Sequence, residues 1–262
     1  MQAFANQVCR IWREPDQGLW ESRSEPRRFT HGKVMAWVAL DRARKLVGDD
    51  ENWRREQDAI LSAILTEGVA GDPPYLVQAF GSKEVDAALL QILLCGLPIP
   101  RDLFQQTIKR VEQDLRVGDF VRRYRNDDGV SGAEGAFLIT SFWLVDALLI
   151  LDRATEARDL FERLLGHAND VGLYGEEINP RSGAHLGNFP QAFTHLGLIS
   201  SATLLHLYEI AGAKGLSGTH ADRAKRLVGA AEGKKALLYA LWRNGGVRLF
   251  GSSRSVLELN LS

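Results

Sequence analysis

Apolar residues recur along this chain in blocks of helical spacing, and the blocks differ in how much of the helix surface they cover. Phe104, Ile108, Val111 and Leu115 step by 4, 3 and 4 residues, one stripe of an amphipathic helix. Trp53, Ile60, Leu61, Ile64 and Leu65 follow similar spacing, and Asp50 stands where an N-cap belongs. Leu160, Phe161, Leu164 and Leu165 give another one-sided helix after Thr155. By contrast, Lys33 to Val47 is apolar on most faces for its first two turns. Ala136 to Leu151 is apolar all round, interrupted only by Thr140, Ser141 and Asp146. A helix capped by Ser82 and running to about Cys95, and a long one from near Pro190 to near Gly212, complete about seven main helices. Alternating strand patterns between turns are absent, which predicts an all-α class.

Helices apolar on most faces alternate loosely with helices apolar on one stripe. Two concentric layers produce that order: inner helices buried on both sides, outer ones facing water. A simple bundle gives mostly one-striped helices. The pattern therefore predicts a toroid of paired helices. Three long loops separate the blocks: Ile11 to Thr30, Gly118 to Glu134 and Asn169 to Phe189. They combine Gly, Pro, Asn, Asp and Glu with Trp and Tyr. Long loops in compact domains are functional or disordered, and embedded aromatics argue for function.

Composition narrows the partners. With 45% hydrophobic residues, 25% charged ones and a net charge of −1, the chain has an ordinary globular balance and no electrostatic reason to seek nucleic acid. The Ala136 to Leu151 run is too short and too polar to span a bilayer, so no membrane partner is expected. Cys9 and Cys95 cannot form a disulfide framework, and Met1 to Arg13 lacks the pattern of a secretory leader; both readings predict a cytoplasmic protein. From Gly212 onward nine Lys or Arg face three Asp or Glu, a net +6 that leaves −7 on the rest. That shift divides the chain into a main domain, 1–211, and a basic C-terminal extension, 212–262. The extension lacks aromatic and basic residues in alternation, so a solvated helix with a strand-like end is expected rather than a nucleic-acid arm.

Two loops hold candidate chemistry. In Pro15-Asp16-Gln17-Gly18-Leu19-Trp20-Glu21-Ser22-Arg23 a glutamate sits between an indole and a guanidinium. Indole contact favours a neutral carboxyl and a guanidinium favours a charged one, a mixture suited to a general acid. In Leu173-Tyr174-Gly175-Glu176-Glu177-Ile178-Asn179-Pro180 two carboxylates follow a glycine and precede an Asn-Pro turn, where one could activate water. Alone, each reads as an ordinary solvated glutamate. Together they match sugar hydrolysis, which needs one carboxyl to protonate the leaving oxygen and one to activate water or attack. Trp20, Tyr124, Tyr174 and Phe189 could stack on sugar faces, while Asn188 and Gln191 could bond hydroxyls.

Other chemistries lack their residues. No Gly-x-Ser-x-Gly elbow occurs. Gly229 to Lys235 approaches a phosphate loop but is one residue short and lacks the magnesium-binding Ser or Thr. The six histidines show no metal spacing, and His195 reads as a core or supporting residue. No cofactor or metal is expected.

Several motifs in register carry a resemblance. Gly18-Leu-Trp-Glu-Ser-Arg23 is followed by Phe29-Thr-His-Gly-Lys-Val-Met-Ala-Trp37-Val-Ala-Leu-Asp-Arg42 and by Glu134-Gly-Ala-Phe-Leu-Ile-Thr-Ser-Phe-Trp143. Gly172 to Pro180 then runs on to Leu186-Gly-Asn-Phe-Pro-Gln-Ala-Phe-Thr-His195. Over roughly residues 1 to 211 the order resembles the bacterial branch of glycoside hydrolase family 15, the glucoamylase and trehalase family. The resemblance implies a six-hairpin (α/α)6 toroid, here incomplete, because the family's first helices have no counterpart in this sequence. It implies release of a terminal α-linked glucose from an oligo- or disaccharide with inversion, Glu21 as general acid and Glu176 as general base. It implies sugar contacts from Trp20, Arg23, Lys33, Arg123, Tyr124, Glu177 and Asn188, with Glu177 binding sugar or tuning Glu176. An incomplete toroid also admits a non-catalytic remnant, or half of a split glycosidase whose partner is an N-terminal half or a second copy.

Overall fold

The computed structural model describes residues 1–125 and 135–229 of the chain. Residues 126–134, with Glu134 of the third motif, and residues 230–262, with most of the phosphate-loop look-alike and the basic tail, lie outside the described residues. Eight α-helices are described: α1 (Gln2–Ile11), α2 (Thr30–Val47), α3 (Glu51–Glu67), α4 (Arg101–Leu115), α5 (Leu138–Ile150), α6 (Ala154–Leu165), α7 (Ala192–Gly215) and α8 (His220–Gly229). The class is all-α.

α5 shows why the chain folds in layers. Ten of its thirteen residues are buried, including Phe142, Leu144, Val145 and Leu148. A helix this apolar must be covered on every side, and α6, α7 and the turns before α4 supply the cover. Its polar residues are used rather than hidden. Thr140 Oγ1 donates to the Val121 carbonyl at 2.6 Å, and Ser141 Oγ accepts from the Val121 amide at 3.0 Å. α7 approaches closely because Gly197 lies against it; a Cβ there would stand 3.0 Å from Ile139 Cγ1. α2 packs on α3 and α1, α5 on α6 and α7, and α7 on α8. Successive helices therefore pack against one another. α5, read as apolar all round, is buried on most sides, whereas α2, read as apolar on most faces at its start, buries a single stripe of Thr30, Lys33, Val34, Trp37, Leu40 and Ala43. The expected stripe on α4 is buried in full: Phe104, Ile108, Val111 and Leu115. Asp50 caps α3, accepting from the Trp53 amide at 3.0 Å.

Three expectations change. Ser82 to Cys95 is not an α-helix but two 3₁₀ turns, Ala87–Gln91 and Leu93–Cys95. The Ala87 amide donates to the Arg123 carbonyl at 2.8 Å, so this backbone bonds elsewhere at the point where a helix would start. α1 and α8 add two helices to the expected set. α8 is held by Arg223, buried, which donates to the carbonyls of Leu216, Gly218 and Leu94. Residues 212–229, the first part of the basic segment, are therefore packed on the helices before them.

Seven two-residue strands trim the loops. β1 (Val69–Ala70) pairs with β2 (Tyr75–Leu76), and β3 (Arg116–Val117) with β4 (Phe120–Val121). β5 (Ala136–Phe137), β6 (Glu177–Ile178) and β7 (His185–Leu186) form an antiparallel sheet with Phe137 opposite Glu177 and Glu177 opposite Leu186. This sheet sits at the N-terminal end of α5 and fixes the second glutamate loop to it.

Candidate active site

The loop before α2 is closed at its base by its own polar residues. The Asp16 and Arg27 backbones pair, with N–H to O distances of 2.8 and 3.0 Å. Asp16 Oδ1 accepts from the Gly18 amide at 2.7 Å, an Asx turn. Lys33, buried, donates from Nζ to Asp16 Oδ2 at 3.0 Å and to the Glu14 carbonyl at 2.6 Å. Lys33 was expected among the sugar contacts; its ammonium is engaged by the loop itself and braces it from below. Arg23 is exposed on the same loop.

Closing the loop turns Trp20 inward. Its ring centroid lies 5.9 Å from those of Phe137 and Trp143 and 6.4 Å from that of Tyr124. Its Nε1 donates to Asp86 Oδ2 at 3.1 Å. Glu21, the next residue, is exposed and holds a left-handed φ of 50°. That conformation is uncommon for a residue with a Cβ and costs energy the rest of the loop must offset.

The second loop is built differently. The Glu176 amide donates to the Asn188 carbonyl at 2.9 Å, and its carbonyl accepts from the Leu138 amide at 3.0 Å. Glu176 Oε2 accepts from the Asn188 amide at 3.0 Å and from Asn188 Nδ2 at 2.8 Å. Gly187 makes room: a Cβ there would lie 2.7 Å from Glu176 Oε2, and its φ is +70°. One residue earlier, the Gly175 amide donates to His185 Nδ1 at 2.9 Å, while His185 Nε2 lies 3.0 Å from the His167 carbonyl. These partners assign the Nε2–H tautomer, with Nδ1 free to accept. Two donors on one carboxylate oxygen fix where that carboxylate points.

The loops meet. Trp20 packs edge-on against Phe137, and Phe137 pairs in the sheet with Glu177, the neighbour of Glu176. Arg123 joins both sides. Its guanidinium carbon lies 5.2 to 5.8 Å from the ring centroids of Phe137, Tyr124 and Trp20, and Nη2 lies 3.8 Å from Glu177 Oε1. Glu177 Oε2 also accepts from the Gly135 amide at 3.2 Å. Trp20, Arg123, Tyr124 and Glu177 thus form one cluster, with Glu176 and Asn188 adjoining through the sheet. A cavity of about 450 Å³ opens beside it, lined by Trp20, Tyr124, Gln78, Glu84 and the Ser22 to Arg27 limb, and not by the two glutamates themselves.

Other expected residues lie elsewhere. Tyr174 is fully buried among Phe142, His185 and His195, with its hydroxyl on the Leu164 carbonyl, so it is a core residue and not a stacking surface. Burial pushes its phenol pKa up. Gln191 caps α7 by accepting from the Phe193 amide. His195 bonds the Gln191 carbonyl and packs on Tyr174, the supporting place expected of it. Asp86 was missed. Its sequence signal is a lone carboxylate in the apolar run Val85-Asp86-Ala-Ala-Leu-Leu90, a place where acids are rare unless partnered.

Comparison with known proteins adds to the geometry. A family model described as glycosyl hydrolases family 15 matches residues 1–203. The trehalase of Thermoplasma volcanium is 41% identical over 203 residues, which is 74% of this chain and 33% of that protein. The trehalase of Mycobacterium tuberculosis is 46% identical over 205 residues, 74% of this chain and 30% of that protein. The chain therefore spans about a third of the length of the curated relatives it matches. A solved glycosidase superposes with a TM-score of 0.63 at 20% identity, covering 80% of this chain and 58% of that one, a likeness of fold. With the helix pairs above, it identifies the architecture as part of an (α/α)6 toroid. The motifs that bracket Glu21 and Glu176 fall within the matched residues, and this chain belongs to glycosyl hydrolases family 15.

Proposed function

We propose that this chain carries the acid–base pair of an inverting α-glucoside hydrolase, with Glu21 as general acid and Glu176 as general base. The meeting of both glutamate loops on Phe137 is the observation that supports it. In this reading a terminal α-linked glucose stacks on Trp20 and Tyr124, and Arg123 and Glu177 hold its hydroxyls. Glu21 gives its proton to the glycosidic oxygen as the bond to the anomeric carbon breaks. Glu176 takes a proton from a water whose oxygen bonds that carbon from the opposite face. One water is consumed and exchange with solvent returns both carboxyls to their starting states. The mechanism requires a carboxyl separation of about 6.5–9.5 Å, room for that water.

Among maltose, isomaltose, starch ends and trehalose, we favour α,α-trehalose, because relatives 40 to 46% identical bear the name trehalase. Proton NMR of the chain with α,α-trehalose is expected to show β- and α-glucose appearing in equal amounts before mutarotation. Glu21→Gln and Glu176→Gln are each expected to lower turnover by roughly a thousandfold. Release of α-glucose alone, or full turnover by either variant, removes the assignment.

A specific observation favours a second reading, half of a split glycosidase. Phe193, Leu196 and Ile199 form a stripe on α7 with 61, 59 and 48% of their surface exposed. Leaving such a stripe in water forgoes about 25 cal/mol per Å² of burial. In this reading a further helical segment covers it. Turnover of trehalose by the purified 262-residue chain alone argues against that reading.

A further inference from the structure

Asp86 is fully buried, yet its closest described partners are neutral. Its Oδ2 accepts from Trp20 Nε1 at 3.1 Å, across 66 positions of sequence. The Gln78 side chain and the backbone of Ala88 and Leu89 also face it. A buried carboxylate without a paired cation costs several kcal/mol unless something offsets it. Burial raises its pKa to about 7, against hydrogen bonds from Trp20, Leu89 and Gln78 that lower it. The next residue reaches the other half of the cluster: the Ala87 amide donates to the Arg123 carbonyl at 2.8 Å. Asp86 and Ala87 therefore grip both the tryptophan that precedes Glu21 and the Arg123–Tyr124 segment.

We propose that Asp86 is a positioning residue that sets Glu21 for proton donation by anchoring the Trp20 indole. The inference rests on the reading of Glu21 as the acid. The structural reason is lever-like. Glu21 is exposed, and its left-handed backbone makes one weak contact of its own, from its amide to the Gly18 carbonyl at 3.4 Å. Of its two neighbours, Ser22 is held within the loop, its amide donating to the Gln17 carbonyl at 2.9 Å, while Trp20 ties the loop to the body of the protein through its single indole donor, directed at Asp86.

The test has a part that needs no catalysis. The chain has six tryptophans, so indole-labelled protein gives six N–H resonances, and Trp20→Phe identifies one of them. Asp86→Asn is expected to move that resonance and to abolish its dependence on pH near neutrality, leaving the other five in place. A Trp20 signal indifferent to Asp86→Asn overturns the anchor.

The second part reads catalysis. Trehalose needs a proton on its leaving oxygen, whereas α-glucosyl fluoride has a leaving group that needs little help. Asp86→Asn is expected to lower kcat on trehalose by roughly tenfold to a hundredfold, with a much smaller loss on the fluoride. Equal losses on both substrates would mark Asp86 as merely structural and overturn the proposal. Glu21→Gln run in parallel separates the two claims. If it lacks the same bias, the acid assignment fails whatever Asp86 does; if it has the bias and Asp86→Asn does not, only the positioning role fails.

Discussion

Glu21 stands exposed at the tip of a loop in left-handed backbone, and its neighbour Trp20 carries the contacts; Glu176 is fastened through its own amide, carbonyl and carboxylate. The two loops hold candidate catalytic groups by opposite means. An acid that must deliver a proton and recover one from solvent gains from access to water. A base that must stay aimed gains from donors fixed upon it. The difference predicts that small backbone changes disable the base side first.

Gly187→Ala strikes that side hardest. The new Cβ would stand 2.7 Å from Glu176 Oε2 at a residue whose φ is +70°. The carboxylate must move, and we expect kcat to fall by roughly a thousandfold, the range of a displaced general base. Thermal unfolding is expected to shift by the ordinary cost of alanine at positive φ, about 1 kcal/mol. Normal turnover in this variant would show that Glu176 has room to spare and that its donors are not positioning it.

The frame behind the base loop carries a titratable staple, and pH reports on it. Asp146 on α5 accepts from Ser201 Oγ at 2.6 Å and from Ser200 Oγ at 3.3 Å, both on α7. Burial raises its pKa to about 7, with Ser201, Ser200 and then the Arg223 charge lowering it. Because the folded value lies above the unfolded one, the protonated form favours the fold. That stability is fully present below about pH 4, the unfolded pKa, and is lost as pH rises toward 7. A carboxyl raised from its ordinary value to about 7 puts the loss on the order of 4 kcal/mol, and Asp86 adds a loss of the same sign. Asp146→Asn is expected to flatten its share of the fall in denaturation midpoint between pH 4.5 and 7.5. A wild-type midpoint that rises across this window contradicts the assignment.

The same contrast governs what was legible in the sequence. Phe104, Ile108, Val111 and Leu115 were readable because a helix facing water on one side must repeat its apolar residues every three or four positions. The 87–95 turns were not, because Ala87 to Leu90 are all buried and such a run has no period to read. The strands are two residues long, below any pattern, yet β5 and β6 are what bring Glu176 to Phe137. The two glutamates were marked as candidates by the motifs around them. Asp86 was not, since its partner lies 66 residues away and nothing local marks it except a charge among apolar neighbours. Tyr174 failed in the opposite direction: a loop aromatic beside a glutamate suggests a sugar platform, and the fold uses it as core.

The smallest effect tests the acid side, where strain and function would trade against each other. A non-glycine residue in the left-handed region costs about 1 kcal/mol. At φ 50° Glu21 bears that cost in an exposed loop, where its side chain is in no position to recover it by burial. Glu21→Gly should therefore stabilise the protein by about 1 kcal/mol less the entropy glycine returns to the unfolded chain, a net gain of a few tenths. It should abolish turnover of trehalose at the same time. Glu176→Gly makes the control, because there the carboxylate accepts two hydrogen bonds and its loss should lower the melting point. Opposite signs of stability change with the same loss of activity are the expected pair. If Glu21→Gly lowers the melting point as Glu176→Gly does, the Glu21 side chain is holding the loop rather than being held by it, and the contrast between the two loops collapses.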